Sequence, residues 1–182
     1  ISGLSEAVKV ALIKDKKFFN EIESCAQELV GRDSAAMANI IKKSAILHLE
    51  HITKGGDPFE RLDARPLDFG HWSAHKLEQI TNHTLTHGEA VSIGLAIDLT
   101  CSVRLGFLEE SVATRAIALL QALGLPTAHA ELVNDALLDG IEEFRQHLGG
   151  QLTLLMLKGI ADPIDIHVLD TDIVRQAITE LL

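Results

Sequence analysis

Along most of this chain apolar residues recur every three or four positions, and stretches of strict apolar–polar alternation are nearly absent. A stripe of that period is buried by a helix, so the sequence predicts a mainly α fold. Helices are expected from Ser5, as cap, to about Lys14, and from Lys16 to Val30. A third runs from Ser34 to about Thr53, with Met37, Ile40, Ile41, Ala45, Ile46 and Leu49 on its apolar stripe. Gly55-Gly56-Asp57-Pro58 breaks the chain, and 59–70 reads as an ordered loop framed by Pro66 and Gly70. Further helices are expected over about His71 to Thr81, His87 or Gly88 to Leu105, Glu109 to Leu123 and about Glu131 to Leu148. The tail differs. Gln151 to Lys158 and Ile164 to Leu169 read as a small β-hairpin with a longer loop over Gly159 to Pro163, before a last helix capped by Asp170 or Thr171. With no linker or repeat, residues 1–182 read as one helical domain, with Phe18, Phe19 and Phe59 as core candidates.

Several function classes are excluded. There is no G-x-G-x-x-G after a strand, no G-x-x-x-x-G-K-[ST] and no strand–helix alternation, so nothing here binds a dinucleotide unaided. A formal net charge of −10 argues against a nucleic-acid partner, which needs a basic face. Cys25 and Cys101, each in a segment that reads as helix, make neither a disulfide framework nor a zinc ribbon and suit buried thiols in a cytoplasmic protein. The best apolar run, Ala90 to Leu99, is broken by Asp98 and falls short of the roughly 20 residues that span a membrane. Glu6, Lys9 and Lys14 interrupt any signal-peptide pattern, and the start at Ile1 is read as a fragment with an upstream part missing.

The chemistry lies in the histidines. His71 and His75 are four apart, as are His83 and His87, and residues four apart on a helix share a face. Two imidazoles so spaced can bind one metal, or one can bind while the other transfers a proton. An H-x-x-x-H pair alone more often marks ordinary surface or core histidines, because metal sites need three or four converging ligands. H-E-x-x-H is missing, so a zincin protease has no support. Glu89 either orients His87 or favours the N-terminus of its own helix. His83 reads as an exposed loop residue, and His51, His129, His147 and His167 as structural or surface residues.

The run Asp68-Phe69-Gly70-His71-Trp72-Ser73-Ala74-His75-Lys76-Leu77-Glu78, followed by His87-Gly88-Glu89-Ala90-Val91-Ser92-Ile93-Gly94, resembles the central signature of the 3-dehydroquinate synthase family. Gly3-Leu4-Ser5-Glu6-Ala7-Val8-Lys9 resembles the segment opening that family's C-terminal domain, and Leu155-Met156-Leu157-Lys158-Gly159 its strand with a phosphate-binding lysine. The resemblance implies a helical metal-binding domain in which Glu6, His71 and His87 hold Zn2+, or another divalent metal such as Co2+. It implies proton transfer by His75, substrate contact by Lys9 and neutralisation of the substrate's anionic groups by Lys158. Lys9 also reads as a plain helix-surface partner of Glu6, and Lys158 as a solvated strand-end lysine. The implied reaction is an NAD-dependent hydride cycle on a phosphorylated seven-carbon sugar, with phosphate elimination and ring closure. NAD would sit mainly on an N-terminal domain absent from this chain, and the assembly would be a homodimer.

Departures from the family pattern cluster in the expected substrate pocket. Asp68 stands where Asn is common, His48 where a substrate-binding lysine aligns, Arg65 one position from the usual arginine, and Trp72 where Thr or Ser is usual. Valiolone-type cyclases share the Asp and the shifted Arg, but replace the second histidine with proline, whereas His75 is present here. The pattern is that of a divergent cyclase between substrate groups. Two alternatives stay open: a metal-dependent alcohol or polyol dehydrogenase of the same two-domain plan, and a non-catalytic metal-binding module.

Overall fold

The computed structural model describes residues 1–54 and 66–182, apart from the side chains of Ile52, Lys54 and Pro66. The expected break at Gly55 to Pro58, the core candidate Phe59 and the pocket residue Arg65 lie outside the described residues. Nine α-helices are described: α1 (Leu4–Lys14), α2 (Lys16–Ser24), α3 (Ala26–Val30), α4 (Ser34–Lys54), α5 (His71–Ile80), α6 (His87–Arg104), α7 (Glu110–Ala122), α8 (Ala136–His147) and α9 (Thr171–Leu181). One hairpin, β1 (Leu154–Gly159) with β2 (Asp162–Ile166), precedes α9. The fold is thus mainly α with a small antiparallel hairpin near its end, as the periodicity predicts.

Helix α6 organises the core. From Ala90 to Ser102 every residue is buried, and α1, α5, α7, α9 and β1 pack around it. A helix covered on all sides needs no polar stripe, which is why its periodicity is weak in the sequence. Crossing it closely is the start of α5: a Cβ on Gly94 would lie 1.9 Å from the Gly70 carbonyl oxygen, so the two backbones touch where neither residue has a side chain. Gly70 is also left-handed, with φ 77°, which turns the chain into α5. Among the described residues no helix is long and apolar enough to cross a membrane.

Local details depart from expectation for identifiable reasons. Helix α1 starts two residues early, with Gly3 at the cap position, and Ser5 is no cap: its hydroxyl donates to the Ser2 carbonyl at 2.9 Å. The predicted helix over 16–30 is two, broken at Cys25, whose backbone leaves the helical region (φ −110°, ψ 19°) after the Ser24 hydroxyl has turned back onto the Glu21 carbonyl. Cys25 is therefore half-buried at a break rather than buried within a helix, while Cys101 is buried; both are free thiols. The segment before α8 is a separate 3-10 turn, Ala130–Val133. Asp162 and Pro163 belong to β2, so the hairpin turns on Ile160 and Ala161 alone, with Ala161 at φ 65°. Lys158 falls where the register shifts between Leu157 and Gly159. Along α4 only Ile40 of the predicted stripe is fully buried; Ile41, Ile46 and Leu49 are 58%, 44% and 58% exposed, because α4 leans on α1 by one edge and its other apolar side chains face an open groove.

Candidate metal centre

Three elements meet at one point. Helix α1 presents Glu6 and, one turn on, Lys9, whose ammonium pairs with Glu6 Oε2 at 2.6 Å while its side chain is only 5% exposed. The first residue of α5 is His71 and the first of α6 is His87. Glu6 Oε1 lies 3.6 Å from His71 Nε2 and 3.7 Å from His87 Nε2. The ligand atoms of these three residues all fall within 4.8 Å of one another.

The outer nitrogens of both rings are engaged. His71 Nδ1 lies 3.1 Å from the Phe69 carbonyl, which can only accept, so Nδ1 carries the proton and Nε2 keeps its lone pair. Lys9 Nζ, a donor, faces that lone pair at 3.4 Å. His87 Nδ1 lies 3.0 Å from Glu78 Oε2 in the same sense. Burial, and then the Lys9 charge, push the His71 imidazolium down to about 4, against the pull of Glu6, so the ring is neutral at pH 7. Burial raises the Glu6 carboxyl, but Lys9, His71 and His87 together outweigh it and hold the group below its ordinary value.

Glu6 Oε1 is buried and has no hydrogen-bond partner. An orphaned carboxylate oxygen facing two imidazole nitrogens is costly unless a cation lies among them. One carboxylate and two imidazoles are the donors of a divalent site that leaves coordination open. The residues present fit such an ion.

His75, one turn after His71 on α5, is exposed, yet its ring centroid is 5.5 Å from that of His71 and 5.7 Å from that of His87, so it borders the centre. Exposed His48 on α4 shares with Glu6 the lining of an apolar cavity of about 540 Å³. Asp68 is half-buried in the 3-10 turn Pro66–Asp68 that leads into α5. Lys158 is exposed on the hairpin and pairs with Asp162 at 3.5 Å. His83 is exposed at φ 58° in the turn before α6, so it shares no helical face with His87 and the four-residue spacing is fortuitous. Glu89 accepts from the Thr86 main-chain N–H at 2.9 Å and the Thr86 hydroxyl at 2.6 Å; it caps α6 and does not orient His87. Its expected place is taken by Glu78, which the sequence reading missed, although a carboxylate seven residues after His71 lies on the same helical face.

Asp98 was also missed as part of this architecture. Its oxygens accept from the Gly70 N–H at 2.7 Å and the Trp72 indole N–H at 2.8 Å, which fixes both neighbours of His71. Burial raises its carboxyl to about 7, opposed by those two donors. An acid so raised is protonated in the folded state while the unfolded chain, near 4, has released its proton. Its contribution is full below about pH 4 and is lost as pH rises through about 7. Asp98→Asn should remove that slope, seen as urea midpoints of the two proteins across pH 4 to 7. It should also destabilise by about 1–3 kcal/mol, because the amide NH2 must face one of two N–H donors.

The chain is similar to known proteins over most of its length. Residues 3–145 match the family described as 3-dehydroquinate synthase C-terminal. The chain is 34% identical over 164 residues to a 3-dehydroquinate synthase of Halorhodospira halophila, covering 90% of this chain and 46% of that protein. It is 36% identical over 132 residues to a 2-epi-valiolone synthase of Actinosynnema mirum, covering 72% of this chain and 34% of the other. The solved structure of ValA, a 2-epi-5-epi-valiolone synthase from Streptomyces hygroscopicus with NAD+ and Zn2+ bound, superposes with a TM-score of 0.90 at 25% identity, over 99% of this chain and 50% of that one. A 2-deoxy-scyllo-inosose synthase structure shares the fold, with a TM-score of 0.64 at 18% identity over 98% of this chain and 51% of that one. The chain spans about half or less of the length of these proteins.

Proposed function

The chain belongs to the 3-dehydroquinate synthase C-terminal family, and on that premise we propose that it is the metal-binding half of an NAD-dependent sugar phosphate cyclase, a carbon–oxygen lyase acting on a phosphorylated seven-carbon sugar. The observation that carries this reading is the partnerless Glu6 Oε1 between His71 Nε2 and His87 Nε2. We assign the divalent ion, zinc or cobalt, to Glu6, His71 and His87, and NAD to a second, N-terminal domain. A homodimer in the cytoplasm completes the proposal.

When bound, the ion and NAD supply Lewis acidity and a hydride acceptor. The chain's own residues do the rest. Lys9, buried beside Glu6, sets a fixed positive charge at the centre and points to a substrate oxygen. His75, exposed at the rim, takes and returns a proton. Lys158 gives up its solvent-exposed partner Asp162 at little cost and swings to the phosphate. Asp68 and His48 contact the sugar, and Arg65 joins them in the same role. With a histidine in place of a lysine, the apolar cavity beside Glu6 carries less fixed positive charge, which suits a substrate less anionic than a carboxylated one.

The full-length protein tests this. It should carry about one divalent ion per chain and release inorganic phosphate from heptulose or heptulosonate phosphates when NAD is present. NADH accumulating without phosphate release would instead make it a dehydrogenase on the same plan. Unchanged metal content and turnover in Glu6→Ala, His71→Ala and His87→Ala would overturn the enzyme reading. The 182-residue chain alone should show no turnover, since NAD is assigned to the other half.

A further inference from the structure

We propose that Glu78 is the positioning residue of the metal centre: it sets the ring orientation and tautomer of His87. The inference rests on the proposed metal site of Glu6, His71 and His87.

Glu78 lies on α5, its side chain only 17% exposed, and reaches across to the first residue of α6. A single oxygen, Oε2, accepts from His87 Nδ1 at 3.0 Å and lies 3.4 Å from His75 Nδ1. An ionised carboxylate has no proton to give, so the proton in the shorter contact belongs to His87 Nδ1. That leaves the Nε2 lone pair, the atom 3.7 Å from Glu6 Oε1, for the ion. The neighbouring ligand is held differently: His71 Nδ1 is fixed by its own backbone neighbour, the Phe69 carbonyl. His87 has no such carbonyl among its hydrogen bonds and its ring is 47% exposed, so without Glu78 it would be free to turn. A carboxylate behind a ligating imidazole also raises its basicity. The rings of His75 and His87 are stacked, their centroids 5.7 Å apart.

The cluster of His75, Glu78 and His87 has ligand atoms close enough to hold a cation itself. An ion there would not involve Glu6, so loss of the ion in Glu6→Gln distinguishes the two arrangements.

Zinc affinity by chelator competition, in the full-length protein, decides the matter. Glu78→Leu should weaken binding by roughly 10- to 100-fold. Glu78→Gln, whose amide oxygen still accepts from Nδ1, should weaken it less, and Glu89→Gln should bind as the parent does. In the metal-free protein, 15N shifts of His87 should report the Nδ1–H tautomer and move towards a mixture in Glu78→Leu, a change that loss of packing alone does not make. Should the Leu variant not fold, the Gln variant carries both readouts. Parental affinity and an unchanged tautomer in a folded Glu78 variant overturn the inference while the metal centre stands. Two ions per chain, one lost with Glu78, also overturn it. Absence of metal from the parent, or parental affinity in Glu6→Gln, removes the metal centre and the inference with it.

Discussion

Glu6→Gln in the full-length protein should lose its bound metal and turn over at least about 1,000-fold more slowly in kcat/KM. The substitution keeps the shape of the side chain and removes its charge. What remains at the centre is two imidazoles and the Lys9 ammonium, whose 2.6 Å partner is now a neutral amide. A cation is then repelled by Lys9 with no carboxylate to offset it. Loss of the charge that polarises substrate oxygens costs several kcal/mol at the transition state, and about 4 kcal/mol is on the order of 1,000-fold in rate. Metal content by mass spectrometry and phosphate release should fall together. A variant that keeps both would place the reactive centre elsewhere.

The second large effect is on stability. Gly94→Ala introduces a Cβ 1.9 Å from the Gly70 carbonyl oxygen and 2.9 Å from the Ser73 hydroxyl. The nearest obstacle is backbone, so no rotamer change relieves it, and α5 and α6 must separate. Overpacking of this kind costs about 3 kcal/mol or more. The cost should appear as a lower urea midpoint at an unchanged slope. Because Gly70 immediately precedes His71, zinc affinity should fall as well. A midpoint equal to that of the parent would show that the helix crossing tolerates a methyl group.

How much of this was legible in the sequence depended on distance along the chain. Apolar spacing and stop signals located α4, α5, α7 and α9 within a residue or two at most ends, and α6, apolar nearly all round, was bounded by its length and the stop at Gly106. Spacing also put His71 and His75 on one face of α5. It misled at His83, since the left-handed turn before α6 interrupts the helix that the spacing assumed. Nothing in local pattern could bring Glu6 to His71 and His87, which lie on other helices; only the family resemblance suggested that set. Along α4, periodicity reports that a face is apolar, not what covers it. Asp98 looked like an interruption of an apolar run, whereas its burial is what lets one carboxylate hold the main chain before His71 and the indole after it. Glu78 was overlooked in favour of Glu89, the nearer in sequence, because a helix start offers a carboxylate a competing local use.

The hairpin tip bears on the opposite end of the chain. The Ala161 N–H is donated at 2.7 Å to the Leu12 carbonyl, among the last residues of α1, which would otherwise need solvent. A helix anchored to main chain at its tail cannot turn about its own axis without breaking that bond. A slip of one residue would turn it by about 100° and carry the first carboxylate away from both rings. The strand pair, which contributes no ligand, thus acts as an indexing pin for the azimuth of α1.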